Sequence, residues 1–318
     1  MPENTTSTER PRRERWLLPA DQRRVMLAIA DLIERNYVFP AVARVCAEDL
    51  RASEARRPGI ACSALASELT SLLRRHDRHF SVSWGVPPSL TAASQDRRGG
   101  PALSFRRTGR IGVLTVRRFD DPSDARAAHL AEECLRRLEE CDVAVIDLRE
   151  NPGGWPTMVT RLLTPLLGAE PVHVVTFRRA GGGEHDEWTR PARGRSRLRD
   201  MPVFAVVDER TASAAEGMAY ALQSTGRGAV VGRRTVGAAN PVHCFAEPSG
   251  FHVYISTGAP IDPRTGSNWD QVGVRPDVFV GEDDDPLAAA LTTAHDARDA
   301  GRAGAGRDAR AEGRAERR

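Results

Sequence analysis

The chain has 318 residues, 40% of them hydrophobic and 28% charged, with a formal net charge of +3. Such a length holds one large domain or two ordinary ones, the composition is that of a soluble globular protein, and so small a net charge argues against a nucleic-acid partner. All 46 basic residues are arginine; arginine keeps its proton at physiological pH, so a lysine general base, a Schiff base and a phosphate-loop lysine are excluded.

Residues 1–20 are polar and contain proline, and they read as a disordered N-terminus. Asp21 is placed to cap a helix running to about Tyr37, with Val25, Ile29, Leu32 and Ile33 on one face. Pro40 starts a second helix to about Leu50. A third follows from Ser63 to Arg75, with Leu65, Leu69, Leu72 and Leu73 as its stripe. Together they predict a small helical domain over 21–85. From residue 100 the pattern changes. Strand-like runs at Ile111–Val116, Val143–Leu148, Val172–Phe177, Val203–Val207, Ala229–Val231 and Phe251–Ile255 alternate with helical runs at Asp124–Glu140, Thr157–Leu167 and Ala214–Thr225. That alternation predicts an α/β core over 100–285. One more helix follows Pro286. The tail from about Arg298 repeats Arg, Ala, Gly, Glu and Asp without apolar periodicity, so 286–318 reads as a helix and a disordered tail.

The five cysteines, Cys46, Cys62, Cys134, Cys141 and Cys244, are odd in number and lack CxxC spacing. Structural zinc and a disulfide framework are therefore not expected, and a reducing cytoplasm is. The polar start lacks the apolar segment of a secretory signal, and no run reaches the ~18–20 apolar residues of a membrane span.

Two segments carry chemistry. In Asp147-Leu148-Arg149-Glu150-Asn151-Pro152-Gly153-Gly154 an apolar strand ends in a glycine turn before a helix. Backbone amides there suit an anion or a developing oxyanion, although such turns are also ordinary in α/β folds. In Asp208-Glu209-Arg210-Thr211-Ala212-Ser213-Ala214-Ala215-Glu216 a serine flanked by alanines stands where a strand gives way to a helix. Small neighbours leave room for a substrate carbonyl. The same Ser213…Glu216 spacing is that of a capping box, so nucleophile and cap both remain open. A serine nucleophile needs a base, and without lysine that base is a histidine. Nothing local separates His76 from His79 in His76-Asp77-Arg78-His79, and an acid at Asp270 either orients a histidine or fixes a turn.

The ordered set DLRENPGG, TASAAE, Gly232-Arg-Arg-Thr-Val-Gly237 and Asn268-Trp-Asp-Gln-Val-Gly-Val-Arg-Pro-Asp277 resembles the S41 serine peptidases, the tail-specific or C-terminal-processing proteases. The branch related to the interphotoreceptor retinoid-binding protein and the tricorn core protease is the more similar. The resemblance covers roughly residues 22–285. It implies a helical cap domain followed by a crotonase/ClpP-like α/β core, with Ser213 as nucleophile and the amides of Ala214 and of Gly153 or Gly154 as oxyanion hole. The lysine of the lysine-dependent branch falls near Ala238. The histidine base of the tricorn-like branch matches His79, and its orienting glutamate matches Asp270. The segment between 85 and 105 is too short for the PDZ domain of many processing proteases. The expected function is peptide-bond hydrolysis by a Ser213–His79–Asp270 acyl-enzyme mechanism, without cofactor or metal, on a peptide or peptide-like substrate. A homo-oligomer is a possible assembly; a nucleic-acid or membrane partner is not expected. The rivals are a carrier of apolar ligands, lined by Trp155, Trp269 and Phe251, and a hydrolase or acyltransferase for an ester or a peptide-like natural product.

Overall fold

The structure is a computed structural model and describes residues 14–85, 100–191 and 196–299. The expected disorder of residues 1–13 and of the tail from 300 lies outside the described residues, as does most of the 85–105 segment. No described helix is long and apolar enough to cross a membrane. The chain divides into two compact units. One comprises Met1–Leu90, Arg178–Glu184 and Asn240–Ala259; the other comprises Thr91–Phe177, His185–Ala239 and Pro260–Arg318.

The first unit begins with a two-residue strand, β1 (Trp16–Leu17), and three helices, α1 (Pro19–Asn36), α2 (Pro40–Ala52) and α3 (Cys62–Leu73), with β2 (Ile60–Ala61) before α3. Asp21 does not cap α1. The helix starts two residues earlier, at Pro19, whose ring presets the helical φ and whose missing N–H is no loss there. Asp21 lies in the first turn instead. Its buried face is Val25, Met26, Ile29, Ala30 and Ile33, while Leu32 is only partly buried. β3 (Ser81–Trp84) closes this stretch of chain.

The helical domain is not contiguous in sequence. Two later strands, β11 (Val242–Ala246) and β12 (Phe251–Ser256), join β3 in an antiparallel sheet of order β11-β12-β3. Strand alternation gives the reason: Phe251, Val253 and Ile255 point one way and enter the apolar cluster of the three helices. Three short helices alone would leave that face wet.

In the second unit the elements are β4 (Leu103–Thr108), β5 (Ile111–Val116), α4 (Ala125–Leu138), β6 (Val143–Asp147), α5 (Pro156–Leu167), β9 (Val203–Val207), α6 (Ala214–Ser224), β10 (Ala229–Gly232), β14 (Val278–Phe279) and a last helix, α7, over residues 286–299. The intervening strands β7 (His173–Arg179), β8 (Glu184–Trp188) and β13 (Gly258–Ile261) belong to a separate small sheet. The main sheet has the order β14-β10-β9-β6-β5-β4; β4 is antiparallel to β5 and the other pairs are parallel. Its central strands read as unbroken apolar runs because both faces are covered. Ala144 and Ile146 of β6, with Val203, Ala205 and Val207 of β9, face α5 and α6. Val143, Val145, Phe204 and Val206 face Leu287, Ala290 and Ala294 of α7.

Phe251 is fully buried, and a large core aromatic cut to alanine costs about 3–5 kcal/mol. Phe251→Ala is therefore expected to destabilise the first unit by that order in urea unfolding. Amide exchange should speed up in α1 and α3, although both lie more than 170 residues away in sequence.

Candidate active site

Both chemistry-bearing loops leave the C-terminal ends of neighbouring parallel strands, β6 and β9, where α/β sheets place ligands. Buried side chains stitch the two loops together. Asp208 Oδ1 accepts the backbone N–H of Glu150 at 3.0 Å and of Arg210 at 3.1 Å. The Thr211 hydroxyl donates to Leu148 O at 2.9 Å, and the Ala212 N–H donates to Asn151 O at 2.9 Å. Asn151, also buried, donates through Nδ2 to Val116 O at 2.9 Å and accepts the Gly153 N–H through Oδ1 at 2.8 Å.

These ties bring Gly153 against the serine. A Cβ at Gly153 would stand 2.7 Å from Ser213 Cβ and 3.0 Å from Ala214 N, and its φ of +106° also requires glycine. Ser213, Ala214 and the glycine turn thus meet as the sequence suggested. The two glycine amides that the sequence left open differ in what they bond. The Gly153 N–H is spent on Asn151, whereas no protein acceptor receives the Gly154 or Ala214 N–H among the described residues.

Ser213 has φ 55° and ψ −122°. An N-cap residue ordinarily sits in the extended region, so capping does not require this backbone. Non-glycine residues held at such angles are strained by about 1–3 kcal/mol and cluster at functional sites. The restraint comes from Glu216, which is fully buried. Its Oε2 accepts the Ser213 N–H at 2.8 Å and the Ala238 N–H at 2.9 Å. Its Oε1 accepts the Thr235 hydroxyl at 2.5 Å and the Gly237 N–H at 2.6 Å. Burial pushes this carboxyl up; the Thr235, Gly237, Ala238 and Ser213 hydrogen bonds oppose the shift without cancelling it. From sequence, Glu216 was legible only as half of a capping box.

Asp270 lies in the same unit, on the 268–274 loop. Its backbone N–H donates to Asn268 Oδ1 at 3.0 Å, and its Oδ1 accepts the Ala239 N–H at 3.1 Å. Thr235 Oγ1 accepts the Val274 N–H at 2.7 Å, which joins this loop to the Glu216 network. Of the three carrier-lining candidates, Trp269 is core in this unit and Phe251 is core in the other, while Trp155 is half exposed.

His79 belongs to the first unit and sits just before β3. The structure separates the two histidines that sequence could not. His76 Nε2 meets Asp49 on α2 at 2.8 Å. His79 Nδ1 meets Asp77 Oδ1 at 2.8 Å, and Asp77 is 1% exposed. Burial alone would raise the Asp77 carboxyl, but hydrogen bonds from His79 and Tyr37 hold it below the ordinary aspartate value.

A family model for peptidase family S41 matches residues 110–280, more than half of the chain. The chain belongs to peptidase family S41. A carboxyl-terminal-processing protease of Picosynechococcus sp. is 30% identical over 187 residues, 57% of this S41 chain and 41% of that protein. The chain spans less than half the length of the curated relatives it matches. Two solved structures share the fold: a photosystem II D1 C-terminal processing protease and a lipoprotein from Streptococcus agalactiae. The first has TM-score 0.58 at 15% identity, covering 82% of this chain and 94% of that one. The second has TM-score 0.57 at 16% identity, covering 88% and 98%.

Glu216→Gln turns one acceptor oxygen into a donor facing two donors. Each buried donor left unpaired costs about 1–3 kcal/mol, so a stability loss of at least that size is expected in chemical denaturation. Asp77 gives a pH prediction. Its folded value is depressed, so its contribution to stability is present above the unfolded aspartate value and is lost as pH falls through the folded one. Unfolding free energy measured from about pH 5 downward should fall, and Asp77→Asn should flatten that slope.

Proposed function

We propose that this chain is a serine peptidase, with Ser213 attacking a peptide carbonyl and His79 taking the hydroxyl proton. The observation that carries the reading is the backbone of Ser213: φ 55°, ψ −122°, at the mouth of a strand-to-helix turn. This is the local geometry that lifts a nucleophile out of a sheet end, and it exceeds what a cap requires. The Ala214 and Gly154 N–H groups stabilise the oxyanion, and Gly153 contributes by having no side chain. Donors aimed at a developing oxyanion are each worth ~10²–10³ in rate. The imidazole then returns its proton to the leaving amine, and water repeats the cycle on the acyl-enzyme. Asp270 stands as the acid that the family pattern pairs with the histidine.

A lysine base has no place in this reading, because the chain has none and position 238 is alanine, its N–H turned to Glu216. The relatives' description as carboxyl-terminal-processing proteases makes segments near a protein's C-terminus the substrate class. All five cysteines are free thiols, four of them buried, which fits a cytoplasmic setting. The carrier reading loses its lining, since Trp269 and Phe251 are spent on cores.

A fluorophosphonate should label Ser213, and Ser213→Ala should lower peptide turnover by ~10³ or more. Loss of a cap alone would cost only ~0.5–2 kcal/mol of stability and spare activity. Intact hydrolysis in Ser213→Ala would sink the assignment. Turnover of esters with none of peptides would move the chain to the esterase or acyltransferase class.

A further inference from the structure

The segment before α7 is fastened by two arginines, one from each of two loops that shape the serine turn. Arg149 opens the glycine turn after β6. Its Nε and Nη2 donate to the two oxygens of Asp147 at 2.8 and 3.1 Å, and its Nη1 donates to Asp285 Oδ1 at 2.6 Å. Asp147 is buried. Asp285 is the N-cap of α7, and the same Oδ1 accepts the Leu287 N–H at 3.0 Å. Arg233 follows β10, two residues before Thr235. Its Nη2 donates to Gly281 O at 3.2 Å and to Glu282 O and Asp284 O at 3.0 Å each. The 281–285 segment is thus held at its carbonyls from the β10 exit and at a carboxylate from the β6 exit. The second hold falls where the chain is strained. Glu150 has φ 59°, a left-handed conformation that its Cβ disfavours. On one side of that bend, the Glu150 N–H donates to Asp208 and its carboxylate pairs with Arg210 at 2.6 Å. Arg149 clamps the other side.

We propose that Arg149 is a positioning residue for the oxyanion turn, braced through Asp285 by the segment that leads into α7. Its bearing on catalysis rests on the peptidase reading above, since the Gly154 N–H is a catalytic donor only there. An oxyanion donor works by standing in place before charge develops, so a turn that relaxes loses rate and keeps substrate affinity. Asn151, Asp208 and Thr211 tie the turn to its neighbouring loop and strand. Arg149 adds a tie in another direction, to α7, whose Leu287, Ala290 and Ala294 cover the sheet face opposite α5 and α6. The two bonds to Asp147 fix the plane of the guanidinium, and that plane aims Nη1 at Asp285. Lysine would keep the charge and lose the planar fork. Asp285 caps and braces with one oxygen. Asparagine caps a helix as well as aspartate does, but it brings no charge to Arg149.

The test compares Asp285→Asn, Asp285→Ala and Arg149→Lys in the full chain, with a peptide substrate and a peptide aldehyde of the same sequence. The aldehyde carbon bonds Ser213 Oγ and its oxygen then lies where the oxyanion would, so its affinity reports the turn. Asp285→Asn should lower kcat and aldehyde affinity together by roughly 2–5-fold, the scale of a partly exposed ion pair. KM and the urea midpoint should stay near the wild type. Asp285→Ala also loses the cap, so its stability should fall while its kcat matches that of Asp285→Asn. Arg149→Lys should lose about tenfold in kcat. High salt screens the pair, so it should bring wild-type kcat down toward that of Asp285→Asn and leave the variant little changed. Unchanged kcat and aldehyde affinity in Asp285→Asn would make Asp285 a helix cap only and overturn the brace. A rise in KM with kcat intact would overturn it as well. The Gly153 and Gly154 amide resonances, read by NMR in the same variants, need no activity. They should shift in Asp285→Asn, and unmoved resonances overturn the brace by themselves. A wild type that cleaves no peptide and resists the fluorophosphonate removes the peptidase reading, and those resonances then decide the brace alone.

Discussion

Everything around Ser213 hangs on a buried carboxylate. Shutting a charge into protein costs several kcal/mol unless its lone pairs are filled and oppositely polarised groups surround it. Glu216 meets that demand with three backbone amides and a hydroxyl, taken from the residue three positions earlier and from the 235–238 segment. Such a network works as a unit, because a single missing partner leaves a polar group stranded in low dielectric. The strained backbone of Ser213 therefore persists because its N–H has one place to go. Thr235 extends the network by accepting from Val274, so the 268–274 loop is set by the same group that sets the serine.

The sheet explains why these groups can meet. β6 and β9 are parallel neighbours, so their exits lie side by side, and each exit leads into a helix on the same face, α5 and α6. The glycine turn after β6 then runs beside the serine turn after β9. With one Cβ at position 153 that approach would fail, since the added atom would fall 2.7 Å from Ser213 Cβ. Asn151 fixes the approach from the other side and takes the Gly153 N–H in doing so. Among the described residues, the N–H groups of Gly154 and Ala214, at the starts of the two helical segments, are left without a protein acceptor.

Much of this was legible in the sequence, for physical reasons that differ from element to element. β6 and β9 announced themselves because both faces of each are buried, which forces unbroken apolar runs. α1 and α3 showed their stripes. β4, with Arg106, Arg107 and Thr108 on an open edge, gave no such signal, and neither did β11, largely exposed along its length. Asp21 misled because a side chain that can cap carries no information about whether a proline two residues earlier already starts the helix. The later return of β12 to the helical unit was hidden too. Its alternation was readable, but the cluster it completes lies far back in the chain. Ser213, Ala214 and the glycine pair stood out because chemistry and motif coincide there. Which of the Gly153 and Gly154 amides bonds within the loop was left open, since it turns on where one N–H points.

Asp77 was read past for a related reason: an acid two residues before a histidine looks like a turn residue, and it is one. The turn and the bond to the ring use the same oxygen. A lysine base would come from the segment beside Glu216, where Ala238 now supplies only a backbone N–H. Its position would be set by the network that already fixes the serine. His79, in the first unit, is bonded through its backbone N–H and its ring to Asp77, two residues earlier. Asp77 is itself anchored by Tyr37, just past α1, and by Ser256 at the end of β12. The serine and the histidine are thus each held by a buried carboxylate near in sequence, Glu216 three residues after one and Asp77 two residues before the other.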